Sequence, residues 1–339
     1  VAPRQAFDPA HLPPGSRALG LQLYALSEGR GTIGTFYDLL TLAPAARKAG
    51  FRLLGLSPLH APPWEETDLL SPYSPSSRYY KNPYYLDPTR LPEYTSLSEA
   101  LRPAEGQRTS GPLDYRQIFR EKDRLLRALF DIFYDQHLPV SSALALDFQE
   151  FCAREGRLLE LQALYDTLRA YFSPKGQPGW DRWPASFQHP DLPGVRAFQR
   201  KEKKNIAFYC WLYWHTERQF DQVARQLGEM ELGLYLDLAV GVPHLSFETW
   251  AFRDTFALQA STGAPPDPFA PGGQNWGLAP FHPHRLRETA YAPFIEILRR
   301  NMLPGGVLRM DHFMQIMRLY WVVAPGEVEP GAYVCYAVE

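Results

Sequence analysis

Near the N-terminus a strand, a helix and a second strand follow one another so closely that the two strands are set to pair in parallel. Ala18 to Leu26 alternates as a strand, Thr35 is placed to cap a helix over Phe36 to Ala49, and Gly50 closes that helix. Phe51-Arg52-Leu53-Leu54-Gly55-Leu56 is the second strand, ended by Ser57-Pro58. Parallel neighbours need a crossover, and the helix supplies it. This unit commits the chain to an α/β fold.

The alternation resumes much later. Gly233-Leu234-Tyr235-Leu236-Asp237-Leu238-Ala239-Val240-Gly241 reads as a third strand and Pro283 to Asn301 as a helix. Pro304-Gly305-Gly306-Val307-Leu308-Arg309-Met310-Asp311-His312-Phe313 is a fourth strand with charge at its C-terminal tip, followed by a new helical pattern through Ile316, Met317, Tyr320 and Trp321. Between the second and third strands lies a Pro-, Tyr- and Ser-rich stretch over 60–112, then helical periodicity over 115–137, 143–155 and 157–171, and a long helix from Lys201 to Leu227. A loop of that length is functional or disordered, and its aromatic content argues against disorder. A second long loop spans Val242 to Phe281. Four strands separated by helices, with long loops only after strand ends, suit a (β/α) barrel whose site is built at the C-terminal face. The expected division is an extended arm over 1–16, a first barrel segment over 17–72, a loop and helical insertion over 73–204, and a barrel segment through strand four over 205–339.

Lys+Arg 35 against Asp+Glu 37 leaves no charge surplus for a polyanion, which argues against a nucleic-acid partner. Aromatic residues make up 14% of the chain, a surplus that stacking on sugar faces or plain core packing would use. Cys152, Cys210 and Cys335 are odd in number and widely spaced, so neither a disulfide framework nor a zinc site is expected and a reducing, cytoplasmic compartment fits. No apolar run reaches the length of a membrane span. The first residue is Val1 and not Met, so the chain is expected to be processed at its start or to be a piece of something longer.

Residues two apart on a strand share a face, which puts Arg309 beside Asp311 and points Met310 and His312 the other way. A neighbouring cation favours the ionised carboxylate, so Asp311 is available as a nucleophile; the plainer alternative is that it caps the element that follows. Gly29-Arg30-Gly31-Thr32-Ile33-Gly34 matches a dinucleotide-binding turn, yet the second strand ends in Ser57-Pro58-Leu59-His60 with no acid to hold a ribose. His282-Pro283-His284 has no third metal ligand placed near it, and Ser27 and Ser57 lack a nucleophile elbow.

Three motifs in order, Ser71-Pro72-Tyr73-Ser74-Pro75-Ser76-Ser77-Arg78, Gly263-Ala264-Pro265-Pro266-Asp267 with Gln274-Asn275-Trp276-Gly277, and Leu308-Arg309-Met310-Asp311-His312, resemble the bacterial 4-α-glucanotransferases of glycoside hydrolase family seventy-seven. The likeness runs from about residue 17 to the last residue. It implies a retaining transferase on a (β/α)8 TIM-type barrel with an inserted helical subdomain. It also implies α-1,4-glucans and maltooligosaccharides as partners, glucose or maltose as acceptor, and no cofactor. By the same match, Asp311 is the expected nucleophile with Arg309 as its partner, Asp237 a sugar-hydroxyl ligand, and Tyr73 the ring beneath the reacting glucose. Asp267, Gln274, Trp276 and His312 are the other expected substrate-binding residues, Asp267 and Trp276 belonging to a loop over the acceptor side. Tyr73 as loop packing, Asp237 as a strand-end cap and Trp276 as core are the plainer readings. Thr35 departs from the family, which commonly carries Asp after the glycines.

Retaining transfer needs a second carboxyl as acid then base, roughly 5 Å from the nucleophile. In the resembling family that group is a Glu on the next strand, so the expectation is a barrel cut off after strand four and a chain inert by itself; Glu327, Glu329 and Glu339 are the only carboxylates after Asp311, and Glu327 and Glu329 sit in a turn-like stretch with no strand before them. An α-glucan hydrolase on the same barrel and a non-catalytic glucan-binding protein are the alternatives.

Overall fold

The computed structural model describes residues 15–27, 32–62, 71–101, 113–303, 306–323 and 331–336. Strand β1 (Ala18–Leu21) is shorter than its sequence pattern and gives way to a 3-10 turn at Leu23–Ala25. Helix α1 (Asp38–Lys48) starts later than expected because Thr35 does not cap it by accepting; the Asp38 carboxylate accepts from the Thr35 N–H at 2.6 Å and its hydroxyl at 2.9 Å. Strand β2 (Leu53–Leu56) is buried along its whole length. In its register with β1, Gly55 pairs with Gly20, and a Cβ on Gly55 would lie 3.1 Å from the Tyr235 ring, so glycine makes room for that ring between the strands.

The stretch over 60–112 is not one loop. β3 (His60–Ala61) and β4 (Ser77–Lys81) form an antiparallel pair, and four 3-10 turns follow between Pro83 and Leu101. A helical layer comes next. Asp114 caps α2 (Tyr115–Ile132), which ends in a π turn over Phe133–His137, and Ser142 caps α3 (Ala143–Phe172). The two expected helices on either side of Gly156 are joined in α3, with Gly156 at φ 57 interrupting the helix. The long helix expected from Lys201 to Leu227 is α5 (Lys203–Glu229), and a shorter helix, α4 (Pro193–Lys201), precedes it and is separated from it at Glu202. Trp211 and Trp214 of α5 are buried against Phe133, which also packs edge-on to Phe148. Trp180, Trp183 and Trp250 are buried too, so much of the aromatic surplus goes into the core, each large side chain contributing about 1.5–3 kcal/mol.

β5 (Gly233–Leu238) then joins the sheet. The supposed loop from Val242 to Phe281 is corrected as well: it holds β6 (Val242–Pro243), α6 (Phe247–Ala251), β7 (Ser261–Ala264) and β8 (Gln274–Ala279). The helix expected from Pro283 to Asn301 breaks where Ala290 and Tyr291 take positive φ, giving α7 (Pro283–Glu288) and α8 (Ala292–Asn301). β9 (Val307–Met310) follows. The helix expected after it is absent: Phe313–Ile316 is one 3-10 turn, and Arg318–Val322 is strand β10, paired with β7 on one side and β11 (Gly331–Cys335) on the other. Its aromatic and branched side chains suit either state locally, and two flanking strands supply the hydrogen bonds that select extension.

Among the described residues three sheets result: the two-stranded β3–β4 pair, a parallel sheet in the order β1-β2-β5-β9, and an antiparallel sheet in the order β11-β10-β7-β8-β6. This is an α/β architecture, with four parallel strands adjacent in space. Among the described residues no helix is long and apolar enough to cross a membrane.

Candidate active site

The C-terminal ends of β5 and β9 meet in register, which places Asp237 opposite Arg309. From there the Arg309 guanidinium reaches two carboxylates. Nη1 donates to both oxygens of Asp237 at 2.9 and 2.8 Å, and Nη2 lies 3.0 Å from Asp311 Oδ1. Asp237 is buried and Asp311 half-exposed, so the inner carboxylate sets the guanidinium and the outer one is presented to solvent. The hydrogen bonds that Arg309 donates to Asp237, ahead of the two carboxylate charges, raise the Arg309 pKa.

The Tyr73 hydroxyl donates to Asp237 Oδ2 at 3.1 Å, while its ring remains 42% exposed, open to a ligand. Partial burial and then the Asp237 charge raise the Tyr73 phenol pKa, keeping it a donor. Asp311 Oδ1 also accepts from the His312 N–H at 3.0 Å, a bond made possible by the left-handed backbone of His312 at φ 50. The His312 ring stands edge-on to Trp276 at 5.1 Å, and Trp276 Nε1 donates to Gln274 Oε1 at 3.0 Å. Thus Tyr73, Asp237, Arg309 and Asp311 form one connected group, and His312, Trp276 and Gln274 adjoin it. Asp267 is not brought in. Its Oδ1 accepts from the Phe269 and Ala270 N–H groups at 2.8 and 2.7 Å, folding the side chain onto its own loop.

Residues beneath this group do work that sequence reading did not assign. Arg78 and Glu248, both at most 2% exposed, form a buried pair. Glu248 accepts from Arg78 N at 2.7 Å, Nε at 3.2 Å and Nη2 at 2.8 Å, while Nη1 donates to the Val240 carbonyl at 3.1 Å. His60 Nε2 accepts from the Ala239 N–H at 3.2 Å, and burial, followed by the Arg78 and Lys81 charges, pushes its pKa down to about 3. Together these groups tie the Tyr73 segment to the chain that leaves β5 just after Asp237. Arg78 lay in a motif singled out above; Glu248, remote in sequence, carried no signal beyond the Ser246–Thr249 capping box beside it.

Gly34 has a structural use: a Cβ there would sit 2.1 Å from the Leu23 carbonyl oxygen. Gly29 and Gly31 lie outside the described residues, as do Glu327, Glu329 and Glu339. The His282 and His284 rings are 5.8 Å apart, and among the described residues no three His, Cys, Asp or Glu side chains gather as metal ligands. Beside the site, at the ends of β1 and β2, a cavity of about 210 Å³ is lined by Tyr24, His60, Asn82, Tyr85 and Tyr115 among others.

Residues 21–339 match the family model of glycoside hydrolase 77, described as 4-alpha-glucanotransferase. A 4-alpha-glucanotransferase of Haemophilus influenzae is 36% identical across 99% of this chain and 51% of its own length. One from Mycobacterium tuberculosis is 33% identical across 95% of this chain and 46% of its own. The amylomaltase of Corynebacterium glutamicum superposes with a TM-score of 0.76 at 27% identity, over 95% of this chain and 44% of that one. An amylomaltase of Streptococcus agalactiae, solved with acarbose, shares the fold with a TM-score of 0.79 at 16% identity, over 94% of this chain and 63% of that one. The chain spans about half the length of the curated relatives it matches. It belongs to glycoside hydrolase family 77, the family described as 4-alpha-glucanotransferase.

Proposed function

We propose that this chain carries the nucleophile half of a retaining 4-α-glucanotransferase built on a (β/α)8 barrel, moving α-1,4-glucan segments between maltooligosaccharides, with glucose or maltose as acceptor. The carrying observation is Arg309 bridging Asp237 and Asp311 at adjacent strand ends. Asp311 Oδ1 is engaged by Arg309 and by the His312 N–H, which leaves Oδ2 to attack the anomeric carbon. The C–O bond to the leaving sugar breaks as the Asp311 ester forms, the departing oxygen taking a proton from the second carboxyl that retaining transfer requires, and an acceptor hydroxyl later displaces the carboxylate while returning its proton to that carboxyl. Asp237 binds a hydroxyl of the reacting glucose, and the exposed Tyr73 ring stacks beneath it. Gln274, Trp276, His312 and the loop of Asp267 line the acceptor side, where excluding water favours transfer over hydrolysis. Unpaired cysteines suit the cytoplasm as the compartment.

A 5-fluoro-α-glucosyl fluoride tests this directly, because fluoride leaves without help from an acid. The expected result is a glucosyl adduct on the peptide containing Asp311, lost in Asp311→Asn. Labelling elsewhere, or none, refutes the nucleophile assignment. Maltotriose separates the reactions: transfer yields longer oligomers, and hydrolysis yields only glucose and maltose.

A further inference from the structure

Two thiols outside the glucan chemistry face one another in the helical layer. Cys152 stands on α3 four residues after Phe148, and Cys210 stands on α5 after Lys203, Ile206 and Ala207 at helical spacing, so each set occupies one stripe of its helix. The stripes meet at an open cavity of about 520 Å³ that both cysteines line, with Gln199 and Arg200 from α4. Arg200 and Lys203 are the charged groups lining it, and no carboxylate lines it among the described residues. Both thiols are free.

We propose that Cys152 and Cys210 are a thiol–disulfide exchange site, which takes an anionic low-molecular-weight disulfide of the glutathione type into this cationic cavity and closes to a Cys152–Cys210 bond. The Cys152 thiolate attacks one sulfur of the bound disulfide, whose S–S bond breaks to release one thiolate, protonated by solvent. Cys210 then attacks the Cys152 sulfur of the mixed disulfide; the second thiol leaves with the Cys210 proton. In sum the protein gives up two protons and two electrons, and the small disulfide is reduced to two thiols. The order follows from the environment. The hydrogen bond from Cys210 lowers the Cys152 pKa, whereas that contact and burial raise the Cys210 pKa, making Cys152 the attacking group.

Incubation of the chain with glutathione disulfide, then alkylation and peptide mass mapping, tests the site independently of glucan transfer. The expected product is a Cys152–Cys210 cross-link lighter by two hydrogens, with a raised thermal midpoint because the link restricts the unfolded chain. Cys210→Ser stalls as a mixed disulfide at Cys152, and Cys152→Ser leaves Cys210 alkylatable. The exposed Cys335 serves as the reference thiol in the same digest. Recovery of Cys152 and Cys210 as free thiols while Cys335 is glutathionylated overturns the proposal. Separate glutathione adducts on both cysteines overturn it equally.

Discussion

Replacing Glu248 with Gln keeps the shape of the side chain and removes the charge that Arg78 faces. In the native pair Glu248 receives three donors, the Arg78 backbone N–H, Nε and Nη2, in a site at most 2% exposed. A carboxamide offers one acceptor oxygen, so a guanidinium donor is left unpaired and the cation is buried without a counter-charge. Breaking one side of a buried pair costs about 3–5 kcal/mol. The bonds from Nη1 to the Val240 carbonyl and from Asn301 to the Arg78 carbonyl survive, which sets the expected loss near the low end, about 3 kcal/mol. Urea unfolding followed by circular dichroism reads it as a lower midpoint with unchanged slope. Glu288→Gln, in the exposed Arg285–Glu288 pair, is the control and should not move the midpoint measurably. The double change Arg78→Met with Glu248→Leu should recover much of the loss, since no lone charge remains. A loss below about 1 kcal/mol for Glu248→Gln would refute the idea that this pair anchors the Tyr73 segment.

Tyr73→Ala should weaken maltoheptaose binding in calorimetry by about 1–3 kcal/mol, taking base stacking on aromatic rings as the guide, while Tyr73→Phe retains most of the affinity; equal affinity for all three returns the ring to loop packing. Gly34→Ala should lower the unfolding free energy by about 1–3 kcal/mol, because its methyl meets the Leu23 backbone oxygen and not a yielding side chain. His60 is held neutral in the fold down to about pH 3, whereas in the unfolded chain it takes a proton near its ordinary value of 6.5. The unfolded state therefore binds more protons in that window, and stability falls as pH drops from 6.5 toward 3, by up to about 1.4 kcal/mol per unit from this group. His60→Gln, which keeps an acceptor for the Ala239 N–H, should flatten the acid slope of the urea midpoint; an unchanged slope would assign the acid sensitivity elsewhere.

Local pattern was sufficient for the parallel strands and for the interruption at Gly156. Leu-rich runs bounded by glycine and proline are buried whichever neighbours they find, and Gly156 takes a backbone conformation closed to most residues. Arg309 and Asp311 were legible as neighbours, although the strand stops one residue short of Asp311, so that the turn after Met310, and not strand alternation, sets the carboxylate beside the guanidinium. Tertiary structure alone decided what depended on remote partners. Arg318–Val322 became a strand because β7 and β11 flank it, and the stretch from Val242 to Phe281 became sheet on the same account. Arg309 turns as much toward Asp237 as toward Asp311, and Arg78 finds Glu248 across 170 residues of chain. No periodicity records such pairs. Asp267 shows the converse, a carboxylate in a telling motif whose own loop amides hold it, because short backbone contacts were nearer than the site.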